Sequence, residues 1–147
     1  FYAEAGKPTL TVFELLMKKL GKNLDGSLLG VEKEAVFLSL IHEVKPLDLI
    51  AEIAVFNKGK VPMAIGSGGQ RKSVDLTLEA IGMSNYFDVI VSCDDVYDFK
   101  PHPETFIKAA TQMNVAPKDC LVFEDGDLGI DAARAGGMMM VDIRQFL

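Results

Sequence analysis

The apolar positions of this chain follow two different spacings. From Thr9 to about Asn57 they recur only at helical intervals. Leu10, Phe13, Met17 and Leu20 form one stripe that Gly21 stops, and Leu28, Val31, Ala35, Leu38 and Ile41 form a second. Each stripe predicts an amphipathic helix, and the two are expected to pack on each other. Pro46 suits the first turn of a third helix, whose apolar positions Leu47, Ile50, Ile53 and Ala54 carry it to a stop at Asn57-Lys58-Gly59.

After Gly59, short apolar runs alternate with helical segments. The runs are Val61 to Ile65, Phe87 to Val91, Leu121 to Phe123 and Met138 to Ile143. None alternates cleanly with polar residues, as expected of parallel strands covered by helices on both faces. Between them, Val74, Leu78 and Ile81, then Phe106, Ala110 and Met113, then Leu128, Ala132 and Ala135 keep helical spacing. Strand, helix, strand repeated three times predicts an α/β fold with a doubly wound parallel sheet. Ligands of such sheets sit beyond the carboxyl ends of the strands.

A length of 147 residues allows one ordinary core with a small appendage. The net charge of −6, with no basic cluster, argues against a nucleic-acid surface, since phosphate backbones demand a cationic stripe. A small phosphorylated ligand remains compatible, because one lysine and a metal ion can neutralise it locally. No apolar stretch approaches the roughly 20 residues that span a bilayer, so no membrane partner is expected. Cys93 and Cys120 could form at most one bridge, and two reduced thiols in a cytoplasmic protein are the expectation.

Three stretches at strand ends carry candidate chemistry. Gly66-Ser67-Gly68-Gly69 reads either as a phosphate cradle, with backbone N–H groups and the Ser67 hydroxyl as donors, or as a tight turn with Ser67 capping the next helix. Lys100, whose surrounding backbone is fixed by Pro101 and Pro103, is either an ammonium held in place for an anion or a solvated lysine before a helix. His102 has no partner at metal-ligand spacing and reads as a loop residue. Glu124, Asp125 and Asp127 crowd three carboxylates onto one strand end, a set of hard oxygen donors suited to Mg²⁺. Asp127 suits the cap of the following helix, which leaves Glu124 and Asp125 as candidate ligands, Asp125 foremost. Asp94, Asp95 and Asp98 read as a solvated loop.

In this order, Ile65-Gly66-Ser67-Gly68, the Lys-Pro-x-Pro-Glu-x-Phe box from Lys100 to Phe106, and the Glu-Asp-x-x-x-Gly-Ile-x-Ala-Ala box from Glu124 to Ala133 resemble the haloacid dehalogenase superfamily. The resemblance covers roughly Gly59 to Ile143. The helical N-terminal part, with its Gly6-Lys7-Pro8-Thr9 turn, resembles the cap of the β-phosphoglucomutase-like subgroup, and within it the sugar-phosphate phosphatases of fructose-1-phosphate and 6-phosphogluconate type. It implies a Rossmann-like core over residues 46–147 and a partial helical cap over residues 1–45. It further implies Mg²⁺-dependent hydrolysis of a small phosphorylated metabolite, such as a sugar phosphate, through an aspartyl-phosphate. Ser67, Lys100 and Asp125 would be the catalytic residues. Ser67, Gly68 and Lys100 would bind phosphate, Asp125 and Glu124 the metal, and Lys7 and Thr9 the substrate from the cap. A phosphomutase of the same subgroup shares every one of these motifs.

Two departures stand out. Gly126 takes a place where many members carry Ser. The defining Asp-x-Asp-Gly-Thr box, which supplies the nucleophile and part of the metal site, has no counterpart among the 147 residues. Its strand would be the first and central one of the sheet, between the Val61–Ile65 and Leu121–Phe123 strands. With Phe1 at the start, the expectation is the C-terminal portion of a longer protein, catalytically incomplete by itself, and a monomer or weak homo-oligomer.

Overall fold

The computed structural model describes residues 6–23 and 25–146. Its N-terminal part is a helical hairpin of α1 (Thr9–Leu20) and α2 (Gly26–Ser39). Helix α1 ends at Gly21, whose φ of 59° lies in the left-handed region and whose N–H donates back to the Lys18 carbonyl. Helix α2 begins at Asp25, whose carboxylate accepts the N–H groups of Ser27 and Leu28. Its apolar stripe does not face inward as the spacing predicts: Leu28 and Val31 are exposed, while Gly26 and Gly30 are buried. A Cβ at Gly26 would lie 3.2 Å from the Glu14 backbone, and one at Gly30 would overlap the Leu10 side chain. The small side of α2 therefore packs on α1, because closeness of the two backbones outweighs burial of the longer side chains.

Helix α3 (Asp48–Asn57) starts after Leu47, so Pro46 precedes the helix and is not in its first turn. Then follow β1 (Ala64–Gly66), α4 (Arg71–Ala80), β2 (Val89–Val91), α5 (Glu104–Gln112), β3 (Leu121–Glu124), α6 (Asp127–Ala135) and β4 (Met139–Asp142). Strand β1 is shorter than its apolar run. Pro62 has no N–H to give, and Met63 instead donates to the Asp88 carboxylate at 2.9 Å while accepting the Asp88 N–H at 2.8 Å.

The α/β class is as expected, with parallel pairing throughout. Ile65 lies opposite Ile90, and Val122 opposite Met140. Ala54 of α3 and Val74 and Leu78 of α4 cover one side of β1–β2, over Ile65 and Ile90, and Ala109 of α5 meets Val91 on the other. Phe106 and Ala110 of α5 join Ala132 and Ala133 of α6 over Val122 and Met140. On the other face of β3–β4, Leu121 and Met139 are about half exposed, at 49% and 53%, so only one face of that pair is well covered among the described residues.

Strands β1 and β3 do not pair with each other, so two two-stranded sheets stand side by side. Helix α5 packs against β1 and β2 and against α6. At the carboxyl ends of the strands, Lys100 joins the two sheets. Its Nζ donates to the Gly66 carbonyl of β1 at 3.2 Å and to Glu124 Oε2 of β3 at 2.7 Å, and it lies 4.5 Å from the centre of the Phe106 ring. Lys100 is only 5% exposed, so the charge depends on these partners for the solvation it has lost. Burial alone would raise the Glu124 pKa, but the Lys100 charge and hydrogen bonds, with the Gly126 N–H, hold it below the ordinary value.

Two outcomes follow for stability. Leu78→Ala empties part of the core between α4 and the first sheet and should cost about 2–4 kcal/mol in urea unfolding; a loss near zero would show that this core is not packed as described. Glu124→Gln leaves a buried ammonium without its counter-charge and should cost about 3 kcal/mol at neutral pH. Because the folded-state pKa is depressed, the carboxylate's contribution is complete above the ordinary value of 4.5 and disappears as pH falls through the lower folded value. The gap between wild type and Glu124→Gln should therefore narrow below pH 4.5, and a gap constant with pH would contradict the pairing.

Candidate active site

The loop after β1, the Lys100 turn and the end of β3 meet at one cavity of about 450 Å³, a size suited to a small metabolite. The first wall is Gly66 to Gly69. The Ser67 N–H donates to the Val91 carbonyl at 2.8 Å, which fixes the loop to the end of β2. The Ser67 hydroxyl oxygen accepts the Gly69 N–H at 3.0 Å. Ser67 therefore closes a turn within its own loop and is not the cap of α4, which begins after Gln70. The α4 terminus instead receives Asp94, whose carboxylate accepts the Arg71 N–H at 2.8 Å. With the Ser67 and Gly69 amides engaged in this way, the Gly68 N–H is the loop amide without either of these contacts. A Cβ at Gly68 would overlap the Gly6 carbonyl, so this approach of two backbones requires glycine.

The second wall is Lys100, which reaches the cavity from the turn before α5. The Lys100–Pro101 peptide bond is cis. The third is Phe123 to Gly126. Glu124 Oε1 accepts the N–H groups of Asp125 and Gly126, each at 3.0 Å, and Oε2 holds Lys100. Three of the carboxylate's roughly four acceptor sites are thus filled within the protein, which leaves one lone pair on Oε2. Gly129 makes room for this carboxylate, since a Cβ there would overlap it. Asp125 is exposed at the cavity, and burial together with the neighbouring Glu124 raises its pKa. Asp127 does not cap α6, whose cap position is Gly126, but pairs with Arg144 at 2.9 Å.

The helical hairpin supplies the remaining wall with Gly6, Lys7, Thr9, Val12 and Lys33. Lys7 and Thr9, expected at the substrate, lie in this lining. Lys33 had no signal in the sequence beyond being a lysine on a helix. The cavity thus brings Lys7, Lys33 and Lys100 together with Glu124 and Asp125.

Other acidic groups serve the fold. Asp95 accepts from the Ser92 N–H and hydroxyl at 2.8 and 2.7 Å, so the loop after β2 is pinned and not merely solvated. Asp98, His102 and Glu104 bring one potential ligand atom each within 4.8 Å of one another. There the Glu104 carboxylate accepts the N–H groups of Tyr97 and Asp98, at 3.1 and 2.8 Å. No described helix is long and apolar enough to cross a membrane.

Comparison with known proteins fits this arrangement. A family model for haloacid dehalogenase-like hydrolases matches residues 29–137. The fructose-1-phosphate phosphatase YqaB of Escherichia coli is 40% identical over 140 residues, covering 95% of this chain and 74% of that protein. A phosphorylated carbohydrates phosphatase of Thermotoga maritima is 33% identical over 107 residues, 73% of this chain and 49% of its own. The crystal structure of β-phosphoglucomutase from Clostridium difficile superposes with a TM-score of 0.79 at 25% identity, covering 92% of this chain and 64% of the mutase. The chain thus spans less than two thirds of that solved structure. From the loop boxes, the parallel α/β architecture and these matches together, the chain belongs to the haloacid dehalogenase-like hydrolases, with β-phosphoglucomutase-like enzymes as its structural neighbours.

Proposed function

We propose that the cavity binds the phosphoryl group of a small phosphorylated metabolite, a sugar phosphate foremost, and that the protein hydrolyses it as a phosphoric monoester. The observation that carries this reading is the convergence of the Lys100 ammonium, the Gly66–Gly69 loop and the Asp125 carboxylate on one cavity. Lys100 would neutralise phosphoryl oxygens from a position its buried contacts have already fixed, so little reorganisation accompanies charge development. Ser67 and the Gly68 N–H would donate to the same oxygens. Lys7, Thr9 and Lys33, arriving from the hairpin, would read the remainder of the substrate and help exclude water. The name of the E. coli relative makes fructose 1-phosphate the first substrate to try.

The donor set suits Mg²⁺. Asp125 is a hard oxygen ligand whose pKa is raised first by burial and then by the neighbouring Glu124, and a cation beside it would favour the ionised form. Asp125 with Glu124 beside it would be a sparse site, in keeping with a cation that dehydrates reluctantly and is bound through one or two carboxylates. Mg²⁺ held there would draw charge from the phosphoryl oxygens. Glu124 would act beside it by orienting Lys100. The family resemblance adds an aspartyl-phosphate route, whose nucleophile lies in no Asp-x-Asp-Gly-Thr box of these 147 residues. Mutase activity is the second reading, favoured by the match to β-phosphoglucomutase.

The test is phosphate release from fructose 1-phosphate, with and without Mg²⁺, by the protein at its natural length. Asp125→Asn should remove the Mg²⁺ dependence and lower turnover at least about 100-fold, and Lys100→Ala should do as much. Unchanged turnover in both variants would overturn the assignment of the site. Isomer formation from a hexose 1-phosphate in place of phosphate release would select the mutase reading.

A further inference from the structure

The hairpin and the sheet region share a carboxylate outside the cavity lining. Glu34, on α2, has its two oxygens directed to different places. Oε1 accepts the hydroxyl proton of Ser73 on α4, in a short hydrogen bond between residues 39 apart in sequence. Oε2 lies 3.0 Å from the Lys33 ammonium, which also donates to the Thr9 hydroxyl oxygen at 3.3 Å. Consecutive residues on a helix point in different directions, so a Lys33–Glu34 contact needs something to turn the two side chains toward each other. Ser73 provides it. Its side chain is buried on α4, and a buried hydroxyl keeps its partner because leaving it unpaired is unfavourable. The line Thr9, Lys33, Glu34, Ser73 therefore runs from α1 through α2 to α4, and only its first two members line the cavity.

We propose that Glu34 is a positioning residue: anchored by Ser73, it holds the Lys33 ammonium at the cavity and so makes placement of that charge depend on the hairpin being seated on α4. The proposal rests on the reading of the cavity as a phosphorylated-metabolite site. A free lysine would sample many rotamers and lose that freedom when an anion binds. With Glu34 in place, part of that ordering is complete before the ligand arrives, which is pre-organisation.

Two variants separate the two oxygens of the carboxylate. Ser73→Ala keeps the Glu34 charge and removes the anchor that turns it toward Lys33. Glu34→Gln keeps an oxygen for Ser73 and removes the charge on the Lys33 side. Each is examined in the full chain by calorimetry with fructose 1-phosphate and by amide hydrogen exchange over α2. Ser73→Ala should weaken binding about tenfold and speed exchange in α2, whereas Glu34→Gln should weaken binding by a similar factor with α2 still protected. The double variant should bind no more weakly than the worse single one, because both act through one carboxylate. A purely structural role would give additive effects on melting temperature and unchanged affinity. Wild-type affinity in both variants, or strictly additive losses, overturns the proposal. Absence of binding by the wild type overturns the cavity reading instead, and the anchor is then decided by exchange alone: faster exchange of α2 in Ser73→Ala upholds it, and equal exchange refutes it.

Discussion

A lysine ammonium almost wholly withdrawn from water has to be given back, by the protein, the polar contacts it has lost. Lys100 recovers them from the Gly66 carbonyl at the end of one sheet, from the Glu124 carboxylate at the end of the other, and from the face of Phe106 between them. Since β1 and β3 share no ladder, this cluster fixes how far apart the carboxyl ends of the two sheets stand. The cavity is the space above it. The loop after β1 and the acidic loop after β3 can serve one ligand because the same cation touches the ends of both strands.

The glycines at the site follow from that constraint. Glu124 must lie flat against the first turn of α6, and only the absence of a Cβ at Gly129 permits it. The Gly6 carbonyl approaches Gly68 so closely that the hairpin and the β1 loop form one continuous wall. Such positions hold glycine for reasons of space, at the cost of chain entropy that a larger residue would have spared.

The sequence made the elements legible where one physical signal dominated. Gly21 ends α1 in the left-handed region, as its place after an apolar stripe implies, and each of the four apolar runs overlaps a strand. The face of α2 was not legible, because two glycines on one side meant close packing there and left Leu28 and Val31 outside. The extent of β1 was masked by Pro62 and by a side-chain contact to Asp88, 25 residues further on. At the site, the motif boxes pointed to Ser67, Lys100, Glu124 and Asp125, and all four line one cavity. That Glu124 would be occupied with Lys100 and two amides is a matter of three-dimensional bonding, and no spacing in the chain reports it. Lys33 belongs to no box, and its place is set by a carboxylate and a hydroxyl from different elements.

The central claim is that Lys100, Ser67 and Gly68 together form an oxyanion-binding site at the junction of the two sheets. Anomalous diffraction from crystals soaked in tungstate, a heavy tetrahedral stand-in for phosphate, tests it most directly. The account predicts a tungsten peak whose oxygens lie within about 3.2 Å of Lys100 Nζ, the Ser67 hydroxyl and the Gly68 N–H. Tungstate bound elsewhere on the protein, with none at this cavity, would contradict it.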